Sequence, residues 1–535
     1  MKKNLKVVLW VGALLVVVLA IVATLTKATW LYLVEALLSL AIIGILAYNV
    51  KEKNNITKVL LTVFLGFMVL SWIIPAAYYS GEYVEQGRVQ MGLFDMFNYP
   101  LTAFSYFGFV TLFIILVGGF YGVLYKIPAY RTFLDKIVDG CNKHAKLSLS
   151  LMVIVIALLV SFCGLQIGIA LFIPFIVAII LMMGYDKITA ALVTVGGITA
   201  GLIGTTFADG NLSILTQSLN LKLNYNIWVR LVILIVVTAV VIFNVVVYVK
   251  GLANKEGKVK KAVKKSNSKA AKKVEEVVTV VKNNEYVPAL AKEDHSTWPF
   301  VVTFILLFVV FVLAFISWDA IGVKAFTNIT KSVTELELFK FPIFAKVLGT
   351  VNAFGAWTVT DMFIPLALVL LILVLIYKVS FENVLDGFLT GAKKALGPAL
   401  VSILIYSILV LVTYHPFQMV IYNVLLGMNK GFNVLTTTII AIFASIFNAD
   451  MSYTFQSVLP YYATKVTNLK DFSIVGIIFT SMYGLTMLVA PTSLVLMGTL
   501  SYLKVSYKDW LKSVWKLLVE LFAILLVAFI ILALI

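Results

Sequence analysis

The sequence predicts an all-α polytopic membrane protein with about eleven transmembrane helices and two re-entrant hairpins, arranged as two inverted repeats. Three observations carry this: composition, the length of the apolar runs, and a repeated pattern of polar breaks within them. Of 535 residues, 62% are hydrophobic and only 13% charged, and the mean hydropathy is +1.04. A soluble chain carries about 45–50% apolar and about 25% charged residues. So little charge cannot clothe a soluble surface of this size. That disfavours a soluble enzyme, a nucleic-acid binder, a disordered chain and a disulfide scaffold. The apolar runs are continuous rather than alternating, which argues against an outer-membrane β-barrel.

Apolar runs bounded by charge or turn residues place the elements in order. Residues 7–26 and 30–49 form an opening pair, followed by Lys51, Lys53 and Lys58. The first follows MKKNLK but is long, lacks a small-residue cleavage site and runs into a second span. It reads as a retained helix rather than a signal peptide. The third span is 59–78, before a polar loop with Glu82, Glu85 and Asp95, and the fourth is 103–125. Residues 128–143 mix Arg131, Lys136 and Lys143 with Phe133, Leu134 and Ile137 and read as a helix on the membrane surface. The run 147–183 is too long for one span and too short for two with a polar turn. Its centre, Ser161 to Gly168, is polar and glycine-rich, so it reads as a re-entrant hairpin covered by protein. The next span, 188–208, ends in a second break, GTTFADGN at 204–211, and 227–249 follows.

Residues 250–296 form a lysine-rich cytoplasmic linker, with contact to anionic lipid as its functional alternative. A linking helix at 298–317 and a mixed outer stretch at 319–357 come next. The span 361–379 precedes an amphipathic piece, 381–396, that carries Lys393 and Lys394. Then come a span at 398–414 and a second surface segment at 416–432. Residues 434–465 form a second hairpin centred on Asn448, Asp450, Ser452 and Tyr453. The span 472–500 is broken at Tyr483-Gly484 and at Ala490–Ser493, and 509–533 closes the chain.

The breaks recur in register. Cys163 and Asp186 are 23 residues apart, as are Asn448 and Asp471. Pro174 and Pro460 fall 11 and 12 residues after Cys163 and Asn448, and Thr205 and Pro491 fall 42 and 43 after them. Similar phrases follow, LKLNYNIWVR and LKVSYKDWLK. Four matches in register indicate duplication. The domains predicted are an extra N-terminal hairpin (1–55), repeat one (56–249, hairpin 147–183), the linker (250–296), a linking helix and outer loop (297–357), and repeat two (358–535, hairpin 434–465).

Net charge is +17, and the lysines sit in loops, as the positive-inside rule requires. With the N-terminus cytoplasmic, that rule puts the linker inside, the first hairpin entering from the cytoplasm and the second from outside. The C-terminus then lies outside. Inverted repeats with broken helices are the architecture of secondary transporters, whose sites lie near the midplane.

The candidate substrate or ion ligands are therefore the polar residues of the tips and breaks. They are Ser161, Gln166 and Gly168; Thr205, Thr206, Asp209 and Asn211; Asn448, Asp450 and Ser452; and Thr486, Pro491, Thr492 and Ser493. Asp450 is the sharpest of these, because a carboxylate at bilayer depth costs about 2.5–3.5 kcal/mol on insertion scales. Glu520 lies mid-span, as a proton or ion site or beside a polar neighbour. Glu35, Asp361, His144, His295 and His415 read as interfacial. Cys141 and Cys163 imply no disulfide. No GxxxxGK[ST], HExxH, GxSxG or CxxC motif occurs, so an ATPase or another catalyst is not expected, and no metal or cofactor is implied beyond Na⁺ or H⁺ as a coupling ion. Only Arg88, Arg131 and Arg230 are arginine, a bias typical of AT-rich bacterial genomes.

Three phrases carry a family resemblance: SWIIPAAYYSGEYVEQGRVQMGLFDMF (71–97), FIILVGGFYGVLYKIPA (113–129) and APTSLVLMGTLSYLKVSYKDWLK (490–512). They resemble YfcC-like permeases, in the C4-dicarboxylate anaerobic carrier and arginine/ornithine antiporter group of the ion-transporter superfamily. The resemblance covers 59–535 and implies an elevator-type carrier and a homodimer. The tips FCGLQIG, TTFADGN and FNADMSY depart from the superfamily's Ser-Asn-Thr-like phrases; APTS is close. Asp209 and Asp450 favour a cationic group on the substrate or a coupling cation. The leading expectation is thus a cell-membrane carrier or exchanger of an amino acid such as arginine or ornithine. The alternatives are a Na⁺- or H⁺-coupled di- or monocarboxylate transporter, and a non-catalytic membrane subunit or channel. The expected partners are a small-molecule substrate and the lipid bilayer, not nucleic acid.

Overall fold

The computed structural model describes the chain except for residues 1–2, 27–28, 50–54, 165–166, 266–284, 290–295, 339–340, 348, 350, 429–430, 449 and 467. Gln166, His295 and most of the 250–296 linker lie outside the described residues.

The chain is nearly all helix. An opening pair, α1 (Lys3–Thr26) and α2 (Thr29–Asn49), precedes α3 (Asn55–Ile73) and a short antiparallel pair, β1 (Ala76–Tyr79) and β2 (Tyr83–Gly87). The first half continues with α4 (Asp95–Leu124), α5 (Pro128–Lys143), α6 (Ala145–Cys163), α7 (Ile173–Met182), α8 (Lys187–Ile203), α9 (Asp209–Ser218) and α10 (Ile227–Lys265). After α11 (Trp298–Phe315) comes an exposed insertion holding α12 (Ala325–Thr334), the pair β3 (Glu337–Leu338) and β4 (Phe341–Pro342), and α13 (Ile343–Val347). The second half is α14 (Phe363–Ile376), α15 (Phe381–Tyr414), α16 (Gln418–Gly427), α17 (Val434–Phe447), α18 (Met451–Lys465), α19 (Asp471–Met487), α20 (Leu494–Leu503) and α21 (Tyr507–Leu534).

Among the described residues, eight helices are long and apolar enough to cross a membrane, α6 among them, and the opening pair α1 and α2 is apolar as well. Two expected spans are cut: 188–208 stops at Ile203, and 472–500 divides into α19 and α20. The first hairpin is also less symmetric than two half-helices. The helix runs unbroken through Ser161 until Gly164 ends α6 in the left-handed conformation (φ 74°), so α6 reaches span length and only the return arm, α7, is short. That arm packs on α8 and α5. An apolar groove of about 320 Å³ separates it from α6.

Two further expectations are corrected. Residues 381–396 and 398–414 form one helix, because Pro398 is accommodated inside α15. A proline is tolerated inside a membrane helix where neighbouring helices and local backbone adjustment satisfy the carbonyl that it leaves without a donor. The 128–143 segment does not simply rest on a lipid surface: Ala129, Tyr130, Phe133, Leu134 and Val138 are buried in the protein.

The spine of the fold is the antiparallel pair α4 and α15. Its register is set from end to end by Tyr99 against His415, Phe107 stacked on Tyr406 at 4.2 Å, Thr111 hydrogen-bonded to Ser402 at 2.8 Å, and glycines beyond. At Gly118, Gly122, Gly387 and Gly391 the backbones touch. A Cβ on Gly391 would stand 2.1 Å from the Gly118 carbonyl oxygen, and one on Gly122 would stand 2.1 Å from that of Gly387. Without a hydrophobic drive between helices in lipid, such close approach is what holds a membrane pair together.

His415 is accordingly buried rather than interfacial, bonded to Tyr99 and to the Val89 carbonyl. Glu35 is also buried, at 4% exposure, on the face of α2 turned into the protein. Glu520 accepts a hydrogen bond from Asn244 at 2.7 Å, tying α21 to α10.

At the foot of the spine, residues 285–288 lie across several helix ends. The Glu285 carboxylate pairs with Lys504 at 2.7 Å. Lys394 donates to the Glu285 carbonyl, Tyr125 to the Tyr286 carbonyl and Arg131 to the Pro288 carbonyl. Tyr286 in turn donates to the Tyr502 carbonyl. This short strap therefore touches α4, α5, α15 and the end of α20.

Candidate functional site

A helix that stops inside a bilayer leaves carbonyls and N–H groups that only protein can satisfy. The first break, 204–208, is satisfied largely by the first hairpin. Ser161 Oγ donates to the Gly204 carbonyl at 2.6 Å and lies 2.9 Å from Thr206 Oγ1. The Thr206 N–H donates to the Ser161 carbonyl at 3.0 Å, and its hydroxyl reaches the same oxygen at 3.2 Å. Asn211 Nδ2 donates to the Gly164 carbonyl at 2.8 Å. Gly164 is needed there: its φ is positive, and a Cβ would stand 2.9 Å from Ala208. Ser161, Thr206 and Asn211 thus form one unit. Thr205 sits beside them with its hydroxyl turned back to the Leu202 carbonyl at 2.7 Å. Gly168 opens a short turn before α7, and Asp209 is the half-buried first residue of α9.

The second break, 488–493, repeats the device. Thr492 Oγ1 donates to the Ile446 carbonyl in the second hairpin at 2.8 Å. Thr492 follows Thr206 by 286 residues, and Ile446 follows Ser161 by 285, so equivalent hydroxyls reach equivalent carbonyls. Ser493 caps α20, accepting from the Leu496 N–H. The helix ends that lead into the two breaks cross one another. A Cβ on Gly484 would stand 2.5 Å from the Ile203 nitrogen, and Ser481 Oγ donates to the Ile203 carbonyl at 3.2 Å. Across this crossing, α9 packs on α18.

Other nominated residues fall outside this crossing. Asp450 accepts from the Ser452 and Tyr453 N–H groups at 2.8 and 3.2 Å and is the N-cap of α18. Its carboxylate does the ordinary work of an aspartate at a helix start. Ser452 is half-buried, Thr486 is buried near the end of α19, and Pro491 lies in the second break. Asn448 donates to the Ala444 carbonyl and lines a cavity of about 280 Å³ with Thr413, Gln418, Tyr453, Gln456, Ser457 and Tyr461. Gln418 was not anticipated. It is 5% exposed, and its Oε1 has no hydrogen-bond partner among the described residues.

Arg230 was missed as well. It lies in the first turn of α10, is 2% exposed, and donates through Nη2 to the Thr206 and Leu223 carbonyls at 2.9 and 2.6 Å. Its guanidinium sits 4.2 Å from the centre of the Tyr225 ring. The available signal was the placement of one of only three arginines at the start of an apolar run. Among the described residues, no group of three or more His, Cys, Asp or Glu could hold a metal ion.

Paired helix breaks clamped by hairpins, within a bundle of membrane-length helices, define a multi-pass membrane transporter of the secondary type. The C4-dicarboxylate anaerobic carrier (DcuC) family model matches residues 13–534, so the chain belongs to that family. A search of curated protein sequences finds no significant match. Among solved structures, the chain is similar to the YdaH transporter of Alcanivorax borkumensis, described as having an unusual topology. That likeness has a TM-score of 0.38 and 12% identity, over 88% of this chain and 97% of that one.

Proposed function

We propose that the protein is a secondary carrier of small dicarboxylates, with its substrate site where the helix ends leading into the two breaks cross and with Na⁺ or H⁺ as coupling ion. The observation that carries this reading is that crossing, with each break held to its own hairpin by the same threonine-to-carbonyl bond. Family membership points to the dicarboxylate. In this reading the nominated ligands are Ser161, Thr205, Thr206 and Asn211 on one side and Thr492 and Ser493 on the other. An amino-acid substrate loses its main support, because Asp450 is engaged as a helix cap. The two halves are inverted in the membrane, with the N-terminus cytoplasmic and the C-terminus outside. The antiparallel course of α4 and α15 supports this arrangement.

The test is uptake into proteoliposomes of labelled succinate, malate and arginine, under imposed Na⁺ or H⁺ gradients. Saturable, gradient-dependent accumulation of the dicarboxylates is expected; accumulation of arginine alone overturns the reading. Orientation is tested with K146C and L435C in a background lacking Cys141. The two thiols are expected to react from opposite faces, and reaction from the same face refutes inversion.

A further inference from the structure

We propose that Arg230 is the counter-charge for a carboxylate of the transported substrate, bound against the first helix break; this rests on the dicarboxylate reading above. A guanidinium stays protonated in a protein, so Arg230 carries a full positive charge in a site that is 2% exposed. It takes part in none of the ion pairs among the described residues. Its partners are two backbone carbonyls and the face of Tyr225, which supply only partial negative charge. Among the described residues, Nε and Nη1 make no well-formed hydrogen bond, with only the Tyr225 side chain beside the guanidinium to interact with them. An ionisable side chain within a membrane helix that lacks its counter-charge is a functional feature before it is a structural one.

The second half of the molecule supplies an internal comparison. There the equivalent phrase caps the carbonyls of its break with neutral groups: Trp510 Nε1 donates to Leu488 at 2.9 Å, and the Tyr507 hydroxyl donates to Val489. The counterpart of Arg230 in that phrase is Lys512, which is exposed. Capping a break therefore requires no buried cation, and the charge at Arg230 exceeds what the fold needs. Its location supplies the rest of the argument. Nη2 binds the carbonyl of the same Thr206 whose N–H and hydroxyl grip the first hairpin. A substrate carboxylate reaching that joint would meet the Nε and Nη1 N–H groups, and charge-assisted hydrogen bonds of this kind are short and strong.

The experiment compares purified full-length wild type, R230M and R230Q in detergent, reading the melting temperature and the succinate Kd of each. Removing an uncompensated buried charge is expected to leave the ligand-free melting temperature unchanged or higher. Succinate affinity is expected to fall between roughly tenfold and hundredfold, with loss of succinate-induced stabilisation. A purely structural arginine predicts the reverse: a lower ligand-free melting temperature and an unchanged Kd in whatever protein folds. If R230M does not fold, R230Q, which can still donate to the Thr206 carbonyl, decides the matter. Wild-type affinity in R230Q, or folding of neither variant, overturns the proposal. The two readings fail separately. Wild type and R230M binding succinate equally sinks only the Arg230 assignment. Wild type ignoring succinate but responding to lactate, with the response lost in R230M, sinks only the dicarboxylate.

Discussion

Replacing Gly391 by alanine tests the spine most directly. The new Cβ would meet the Gly118 carbonyl oxygen at 2.1 Å and the Gly122 Cα at 2.7 Å. Both obstacles are backbone, so no side chain can rotate away. Ordinary contact begins near 3.4 Å, so α4 and α15 must part locally by 3.4 − 2.1, about 1.3 Å. Parting stretches the Thr111–Ser402 hydrogen bond beyond its 2.8 Å and opens the Phe107–Tyr406 stack. Overpacking costs about 1–3 kcal/mol, a buried hydrogen bond about 1 kcal/mol, and an aromatic pair about 0.5–1.5 kcal/mol. The expected loss is therefore about 3–5 kcal/mol. The assay is thermal unfolding in detergent followed by size exclusion, with G140A as control, since a Cβ on Gly140 meets nothing within 4 Å. G140A is expected to match wild type or gain up to about 1 kcal/mol from helix propensity. If G391A melts with G140A, the contact at the seam is not holding the two helices, and the account of the spine is wrong.

Three other outcomes are expected. T206A and T492A each remove the equivalent hydroxyl-to-carbonyl bond, T206A also the contact with Ser161 Oγ, and should cost about 1–2 and about 1 kcal/mol, with reduced uptake in both; an effect in only one would show that the two breaks are not equivalent. D450N should fold and transport like wild type because asparagine caps as well as aspartate, whereas D450A should lose about 1 kcal/mol; a transport defect in a well-folded D450N would reinstate the carboxylate as a ligand. The strap should loosen in acid. Burial alone would raise the Glu285 carboxyl, but the hydrogen bonds from Lys504 and Tyr286 and the charges of Lys504 and Lys187 outweigh it and hold its pKa below the ordinary 4.5. The ion pair is thus complete above the unfolded value and lost as pH falls through the lower folded one, so protease access to 285–289 should rise only below about pH 4.5, and a rise near neutrality would contradict the assignment.

Much of this architecture was legible because lipid imposes simple rules. Apolar runs placed α3, α11, α14, α21 and the start of α10 within a few residues, and glycine and polar interruptions marked both hairpins and both breaks. Polar residues at bilayer depth also marked segments that lie together in the fold, Ser161 against Thr206 and Asn211 against Gly164. The failures have physical causes. Gly397-Pro398 looks like a stop in water but not in lipid, so α15 was divided. Asp450 reads from sequence either as a ligand or as a hairpin cap, and the structure shows the cap. Arg230 was passed over because its meaning depends on the absence of an acidic neighbour, which is a property of three-dimensional packing and not of any window of sequence. His415 likewise is defined by Tyr99, which is 316 residues away.

The strap at 285–288 is recognised chiefly by its main chain. Lys394, Tyr125 and Arg131 all donate to its carbonyls, which every residue type possesses, and Pro288 serves as well as any other because only its oxygen is used. Side chains along the strap can therefore change without loss of these three bonds, while the helix residues that hold it cannot. Insertions and deletions are a different matter: one residue more or fewer between Glu285 and Pro288 would move the carbonyls out of step with three fixed donors. The segment is therefore strict in length, and Glu285 and Tyr286 are held further by their side chains, to Lys504 and to the Tyr502 carbonyl.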